Sequence, residues 1–377
     1  MDKKELGIYI HIPFCEQKCY YCDFISFANK YEKQQEYINA VKKEIDTYNF
    51  EKYNVTTIYI GGGTPSYIES KYIVELIEKL KSKLKNNITK FEEIEITIEI
   101  NPGTVTKQKL QDFKSCGINR LSIGLQTTNN NLLKQIGRIH TYEEFLNTYA
   151  WAKQVGFENI NVDLMLGLPN QTINDLKESL NTVIKLNATH ISVYSLIVEE
   201  GTVISKLIDE EKIELPSEET EREMYWYVKN TLELNGYKHY EISNFAKENK
   251  QSKHNMNCWN QEEYIGLGVA AHSYLNDTRF SNSNNIEDYI NNAENKEIEE
   301  VQTLEDKQNE FMLLGFRKID GVDIARFKQK FGQNPIYLYK DKLNELVEEG
   351  LVVVDLNHIR LTNKGLDLAN LVFEEFV

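Results

Sequence analysis

The stretch IYIHIPFCEQKCYYCDF, residues 8–24, leads an apolar run from Ile8 to Ile12 into three cysteines spaced Cys15-x₃-Cys19-x₂-Cys22. A [4Fe–4S] cube normally takes four thiolates. Three on one tight loop leave one iron open to another ligand, which is the pattern of a working cluster rather than a structural one. Zinc is the competing reading, but it closes its tetrahedron with four Cys or His ligands and favours Cys pairs set apart in sequence. A disulfide fits least: the chain has five cysteines, and its start, MDKKELGIYIHIP, lacks the apolar stretch of a signal peptide.

Outward from that loop, apolar and β-branched runs recur at Ile8–Ile12, Thr56–Ile60, Ile94–Ile100, Arg120–Leu125, Ile160–Leu166 and His190–Ile197, separated by amphipathic stretches rich in Lys and Glu. This alternation predicts an α/β fold, a partial (β/α)₆ TIM-like barrel, since six units are too few for an eight-stranded one. Chemistry in such folds gathers at the C-terminal strand ends. The first run enters the cysteine loop, and the second enters Gly61-Gly62-Gly63-Thr64-Pro65, where missing side chains let a ligand approach the backbone or simply make a tight turn. Glu99 ends the third run, Gln126 the fourth, and Asp163 lies in the fifth. An acid in an apolar strand is costly unless paired or solvated, so Glu99 and Asp163 are expected to line a polar cavity; capping of the next helix is the alternative.

Composition sets outer limits. With 377 residues, 41% hydrophobic and 27% charged, the chain is long enough for one large domain and a smaller appendage. No apolar run approaches the ~18–20 residues of a membrane span, so a cytoplasmic location is expected. A net charge of −15 argues against a nucleic-acid partner.

The segments YIHIPFC (9–15), CYYCDF (19–24), GGGTP, EINPGT, NRLSIGLQ and NVDLMLGLP, in this order, resemble the radical S-adenosylmethionine (SAM) family of oxygen-independent coproporphyrinogen III oxidase and its heme-chaperone relative. The likeness runs through essentially the whole chain. It implies that Cys15, Cys19 and Cys22 hold a [4Fe–4S] cluster and that Tyr9, Tyr21, Gly62, Gly63, Thr64, Glu99, Gln126, Arg138 and Asp163 line a SAM site. On its own, Arg138 reads as a solvated charge at a helix end. Two departures point to the chaperone branch: the position two after Cys22 is Phe24, where the oxidase pattern has a fourth cysteine, and only fourteen residues precede Cys15. An acidic chain can still hold a local basic pocket for a porphyrin's carboxylates.

A third marker is His254-Asn255-Met256-Asn257-Cys258-Trp259. It resembles the chaperone branch's His-Asn-x-x-Tyr-Trp segment, linked there to heme, with Cys258 where tyrosine is usual. The resemblance gives His254, Asn255, Cys258 and Trp259 as heme-site residues; imidazole and thiolate both ligate heme iron. The competing readings are a surface-loop histidine for His254 and a core anchor for Trp259. His272 reads as an alternative heme ligand or as packing beneath the preceding glycine loop, and Cys116 as a small buried hydrophobe.

Residues 281–306 read as a polar connector or solvated helix. Helical patterns then follow at Leu304–Arg317, Val322–Phe331 and Leu338–Glu349, with a hairpin at Leu351–Leu361 and a last helix from Gly365, which together suggest a winged-helix-like module. Such modules often bind DNA, but thirteen acids against ten bases in residues 301–377 suit a duplex poorly, so a protein-contact or lid role is expected. The divisions expected are 1–210, a radical SAM partial barrel; 211–300, a connecting region with the heme segment; and 301–377, the C-terminal module. The function implied is heme binding and delivery to an acceptor hemoprotein, such as a respiratory one at the membrane surface, by a protein that associates peripherally or forms a homodimer. Oxidative decarboxylation of coproporphyrinogen III is the enzymatic alternative.

Overall fold

The computed structural model describes residues 3–28, 30–85 and 91–377. Within them, twelve strands form one sheet. Six are the expected ones: β1 (Lys4–Ile12), β2 (Tyr53–Gly62), β3 (Glu95–Ile100), β4 (Arg120–Gln126), β5 (Asn159–Leu166) and β6 (His190–Ser195). They lie side by side in sequence order, and each neighbouring pair is parallel.

Side chains alternate faces along a strand, and here the alternation separates chemistries. Ile8, Ile10, Ile58, Ile60, Ile96, Ile98, Leu121, Ile123, Val162 and Ile191 are fully buried on one face. Helices Gln34–Thr47 and Ser70–Leu84 belong to that same core through Tyr37, Ile38 and Val41 and through Ile73, Leu76 and Leu80. Tyr9, Tyr59, Glu99, Arg120, Ser122, Asp163 and Ser192 occupy the alternate positions. The second face is therefore polar, and it lines a cavity rather than a core. Helix starts are fixed locally: Thr141 with Glu144 and Thr172 with Asp175 form capping boxes ahead of Tyr142–Val155 and Ile173–Lys185.

The sheet continues beyond the six units. After β6 come β7 (Lys238–Glu241) and β8 (Asn244–Ala246), which extend it antiparallel beyond β6. On the other side β9 (Glu263–Leu267) lies parallel to β1, followed by β10 (His272–Leu275), β11 (Thr278–Ser281) and β12 (Glu297–Val301), antiparallel in turn. Residues 281–306 are thus no connector. They hold the helix Ile286–Asn291 and the edge strand β12, and Tyr289, 1% exposed, donates to buried Glu44 at 2.6 Å. The stretch reads as polar because the side chains of its edge strand all face solvent.

A second apolar cluster, including Phe311, Phe316, Phe327, Leu346, Ile359 and Phe376, gathers the C-terminal elements. Helices Leu304–Phe316, Ile324–Phe331 and Lys340–Glu348 surround a three-stranded sheet of Val322–Asp323, Val352–Val354 and His358–Leu361. The helical pattern expected from Val322 begins instead as a strand, with Asp323 capping the helix that follows.

Candidate functional site

The cysteine loop and the polar sheet face enclose a cavity of about 390 Å³. Cys15, Cys19, Cys22 and Phe24 line one part of it; Tyr59, Glu99, Ser122, Asp163 and Tyr194 from five strands line another. Cys15 lies three residues past the end of β1 and is buried; Cys19 and Cys22 are half-buried. No group of three or more His, Cys, Asp or Glu among the described residues converges on one metal ion, so the three thiols are not drawn into a single tetrahedral shell. Burial, before any charge nearby, pushes the Cys15 and Cys22 thiols up.

A hydrogen-bond relay holds the loop at both ends. Thr64 Oγ1 donates to Cys15 Sγ at 3.5 Å and accepts from Asn101 Nδ2 at 2.9 Å. Arg138 Nη1 donates to Asn101 Oδ1 at 2.7 Å, and Nη2 donates to the Tyr21 hydroxyl at 2.8 Å. Arg138 is therefore no solvated helix-end charge. Its Nε has no partner among the described residues, leaving a donor for a ligand.

Gly62 has φ +112°, and a Cβ there would lie 2.5 Å from the His11 ring; at Gly63 a Cβ would lie 3.0 Å from Cys15 Sγ. Only glycine lets this backbone run so close to the cysteine loop. Beside it, Glu99 accepts from Tyr59 at 2.8 Å and from Gly62 N at 3.3 Å. Burial, reinforced by Asp163, pushes the Glu99 carboxyl up to about 7. Asp163 accepts from Asn161 Nδ2 at 2.6 Å and from Ser122 Oγ at 3.4 Å, and burial raises it as well. Gln126, at the end of β4, takes φ +69° where the ladder with β5 shifts register, and its Oε1 accepts from Tyr194 at 3.2 Å. A left-handed non-glycine residue stores strain, a cost that recurs at ligand sites. Tyr9 is not part of the lining; it stacks on Tyr59 at 6.3 Å and shares a hydrogen bond with His11 Nδ1 at 2.9 Å.

The heme-segment residues do not meet in one place. They lie on the helix Lys253–Trp259, capped by Ser252. His254 is buried rather than in a surface loop, hydrogen-bonded through Nδ1 to Thr57 Oγ1 at 2.9 Å. Asn255 lines the cavity. Cys258 is held near Arg279, its thiol pushed up to about 11 by burial. Trp259 lies under the Arg317 guanidinium, 4.4 Å from the ring centroid. His272 neither packs beneath the glycine loop nor faces the cavity: its side chain is exposed and pairs with Glu299 at 3.0 Å. Cys116 is buried as a small hydrophobe.

Cavity residues Tyr59, Asn101, Arg120, Ser122, Asn161, Ser192, Tyr194 and Asn244 were not candidates from sequence. For all but Asn101 and Asn244, the signal is the period-two alternation of polar with apolar residues in TIYIG, NRLSIGLQ, NVDLML and HISVYS.

Three thiols on one loop, glycines where a Cβ would collide with it, and an arginine with a spare donor fit a three-thiolate cluster with a zwitterionic ligand beside it. Residues 9–183 match the Radical SAM superfamily, and residues 302–368 match the HemN C-terminal domain. The radical SAM domain implies a [4Fe–4S] cluster and SAM. The fold is that of the solved coproporphyrinogen III oxidase (HemN) from Escherichia coli: TM-score 0.85 at 24% identity, covering 99% of this chain and 90% of that one. The chain is 40% identical over 378 residues to heme chaperone HemW of Bacillus subtilis (strain 168), covering 98% of each. To heme chaperone HemW of Escherichia coli (strain K12) it is 32% identical, covering 99% of this chain and 98% of the relative. At 40% identity across 98% of both chains, the chain belongs to the HemW heme chaperone family.

Proposed function

We propose that this protein binds heme and delivers it to an acceptor hemoprotein, using a scaffold that holds a [4Fe–4S] cluster on Cys15, Cys19 and Cys22. The observation that carries this reading is end-to-end likeness to heme chaperones. Tyr21, Gly62, Gly63, Thr64, Glu99, Gln126, Arg138 and Asp163 would hold SAM, with Tyr9 supporting Tyr59 from behind. When bound, cluster and SAM supply one-electron chemistry. The chain's own part is to hold the loop by the Thr64–Asn101–Arg138 relay and to present a carboxyl at Glu99 that burial keeps partly protonated near neutral pH.

A cavity of about 390 Å³ suits one small ligand. Heme would then sit at the mouth, where Phe24 lines the cavity and is 63% exposed. Exposed apolar surface at a cavity rim is the kind of feature that meets a ligand or partner. Ligation of iron by His254 would require the helix Lys253–Trp259 to swing out from Tyr59, while Asn255 already faces the cavity. No described helix is long and apolar enough to cross a membrane. Work in the cytoplasm, contact with a respiratory acceptor at the membrane surface, and a homodimer belong to the same proposal. So does the division into 1–210, 211–300 and 301–377, which the separate C-terminal apolar cluster supports.

The test is to incubate anaerobically reconstituted protein with SAM, a reductant and coproporphyrinogen III, in parallel with a heme titration and transfer to an apo-hemoprotein. Saturable heme binding and transfer, without tetrapyrroles lacking carboxyl groups, is the expected result. Decarboxylated products above a cluster-free control would make the chain an oxidase instead.

A further inference from the structure

Arg120 opens β4 and is 2% exposed, yet its side chain lines the inner cavity. It lies six residues before Gln126 on one strand, about 20 Å away. Its Nε has no hydrogen-bond partner among the described residues. Asp163 feels it as a charge, while the hydrogen bonds of that carboxylate come from Asn161, Ser122 and Ser192. Glu95 is engaged elsewhere, accepting from His254 N at 3.2 Å.

The other titratable groups that feel Arg120 are Tyr59, His190, Tyr240 and His254. Burial favours the neutral form of each, and the carboxylates that share these surroundings with Arg120 include Asp163 and Glu95. Thr97, its register neighbour on β3, is fully buried and its Oγ1 also lacks a partner among the described residues. Ser122, Asn161 and Asn244 share the cavity wall with Arg120.

A buried guanidinium is costly unless its donors are met. Its planar fork matches a carboxylate by two parallel hydrogen bonds. We propose that Arg120 is a carboxylate-binding site on the floor of the cavity, taking a small free acid.

Thermal unfolding of the full chain in sodium propionate, against sodium chloride at equal ionic strength, tests the site. The parent should show a saturable rise in Tm that Arg120→Gln loses. No rise in the parent, or an equal rise in Arg120→Gln, overturns the site. Should Arg120→Gln fail to fold, Arg120→Lys keeps the charge without the fork. It should need at least threefold more propionate for half-saturation, and an unchanged value overturns the site as well.

Discussion

The imidazole of His254 stacks on the ring of Tyr59, centroids 5.1 Å apart and planes inclined by 26°. Tyr59 donates to Glu99, and Glu99 accepts from the backbone of Gly62. The His-Asn segment therefore reaches the glycine-rich cavity wall through one aromatic ring. Burial lowers the imidazole to about 4, so His254 is neutral at physiological pH and acts here as a packed, hydrogen-bonded ring.

His254→Ala should lower stability by about 3 kcal/mol, because it removes a buried ring and leaves Thr57 without its partner. Urea unfolding measures this. SAM affinity should fall with it, since Tyr59 and Glu99 lose their support. An unchanged midpoint together with lost heme binding would show that the imidazole is free to leave Tyr59, contrary to its packing.

The six parallel strands were legible because their residues alternate or cluster as β-branched runs ending in glycine, cysteine or acid. The seventh parallel strand, β9, was not: Glu263–Leu267 is five residues long with Gly266 inside it, too little pattern to separate from a loop. The cysteine loop was legible from spacing alone. Arg120 was not, since an arginine at a strand start reads as a solvated charge until the sheet places it 2% exposed at the cavity wall. His254 was misjudged for the opposite reason. The polar flank before it suggests surface, but Ser252 caps a short helix that turns the imidazole under β2.

Cys19→Ser should abolish cluster assembly, because two thiolates on this loop cannot hold three corners of a cube. Iron content and visible absorbance after anaerobic reconstitution check it; parent-like values would refute the ligand assignment. Gly63→Ala should reduce loading while leaving all three thiols, since its Cβ would lie 2.9 Å from the Pro13 carbonyl carbon and 3.0 Å from Cys15 Sγ.

Glu44 is fully buried and accepts from Gly268 N at 2.9 Å, Asn282 Nδ2 at 2.9 Å and Tyr289 at 2.6 Å, with Lys296 as its ion-pair partner. It ties the helix Gln34–Thr47 to the segment that sequence alone rendered as a connector. Glu44→Ala should cost about 3–5 kcal/mol, as removal of one partner leaves a partly buried cation and several donors unmet. A denaturation midpoint within error of the parent would show that the network contributes nothing net.

Glu99 gives the chain a pH-dependent stability whose sign follows from burial. Its folded-state carboxyl titrates at about 7, above the ordinary 4.5. The folded protein thus holds the proton more tightly than the unfolded chain does, and stability falls as pH rises between those values. Glu99→Gln removes the titration while retaining an acceptor for Tyr59. Relative to the parent, the variant should therefore gain on the order of 2 kcal/mol between pH 5 and pH 8. Urea midpoints of the apoprotein at both pH values measure the difference. Parallel pH profiles for parent and variant would mean that the Glu99 carboxylate is already stabilised in the folded state, and that Tyr59, Gly62 and Arg138 offset its burial completely.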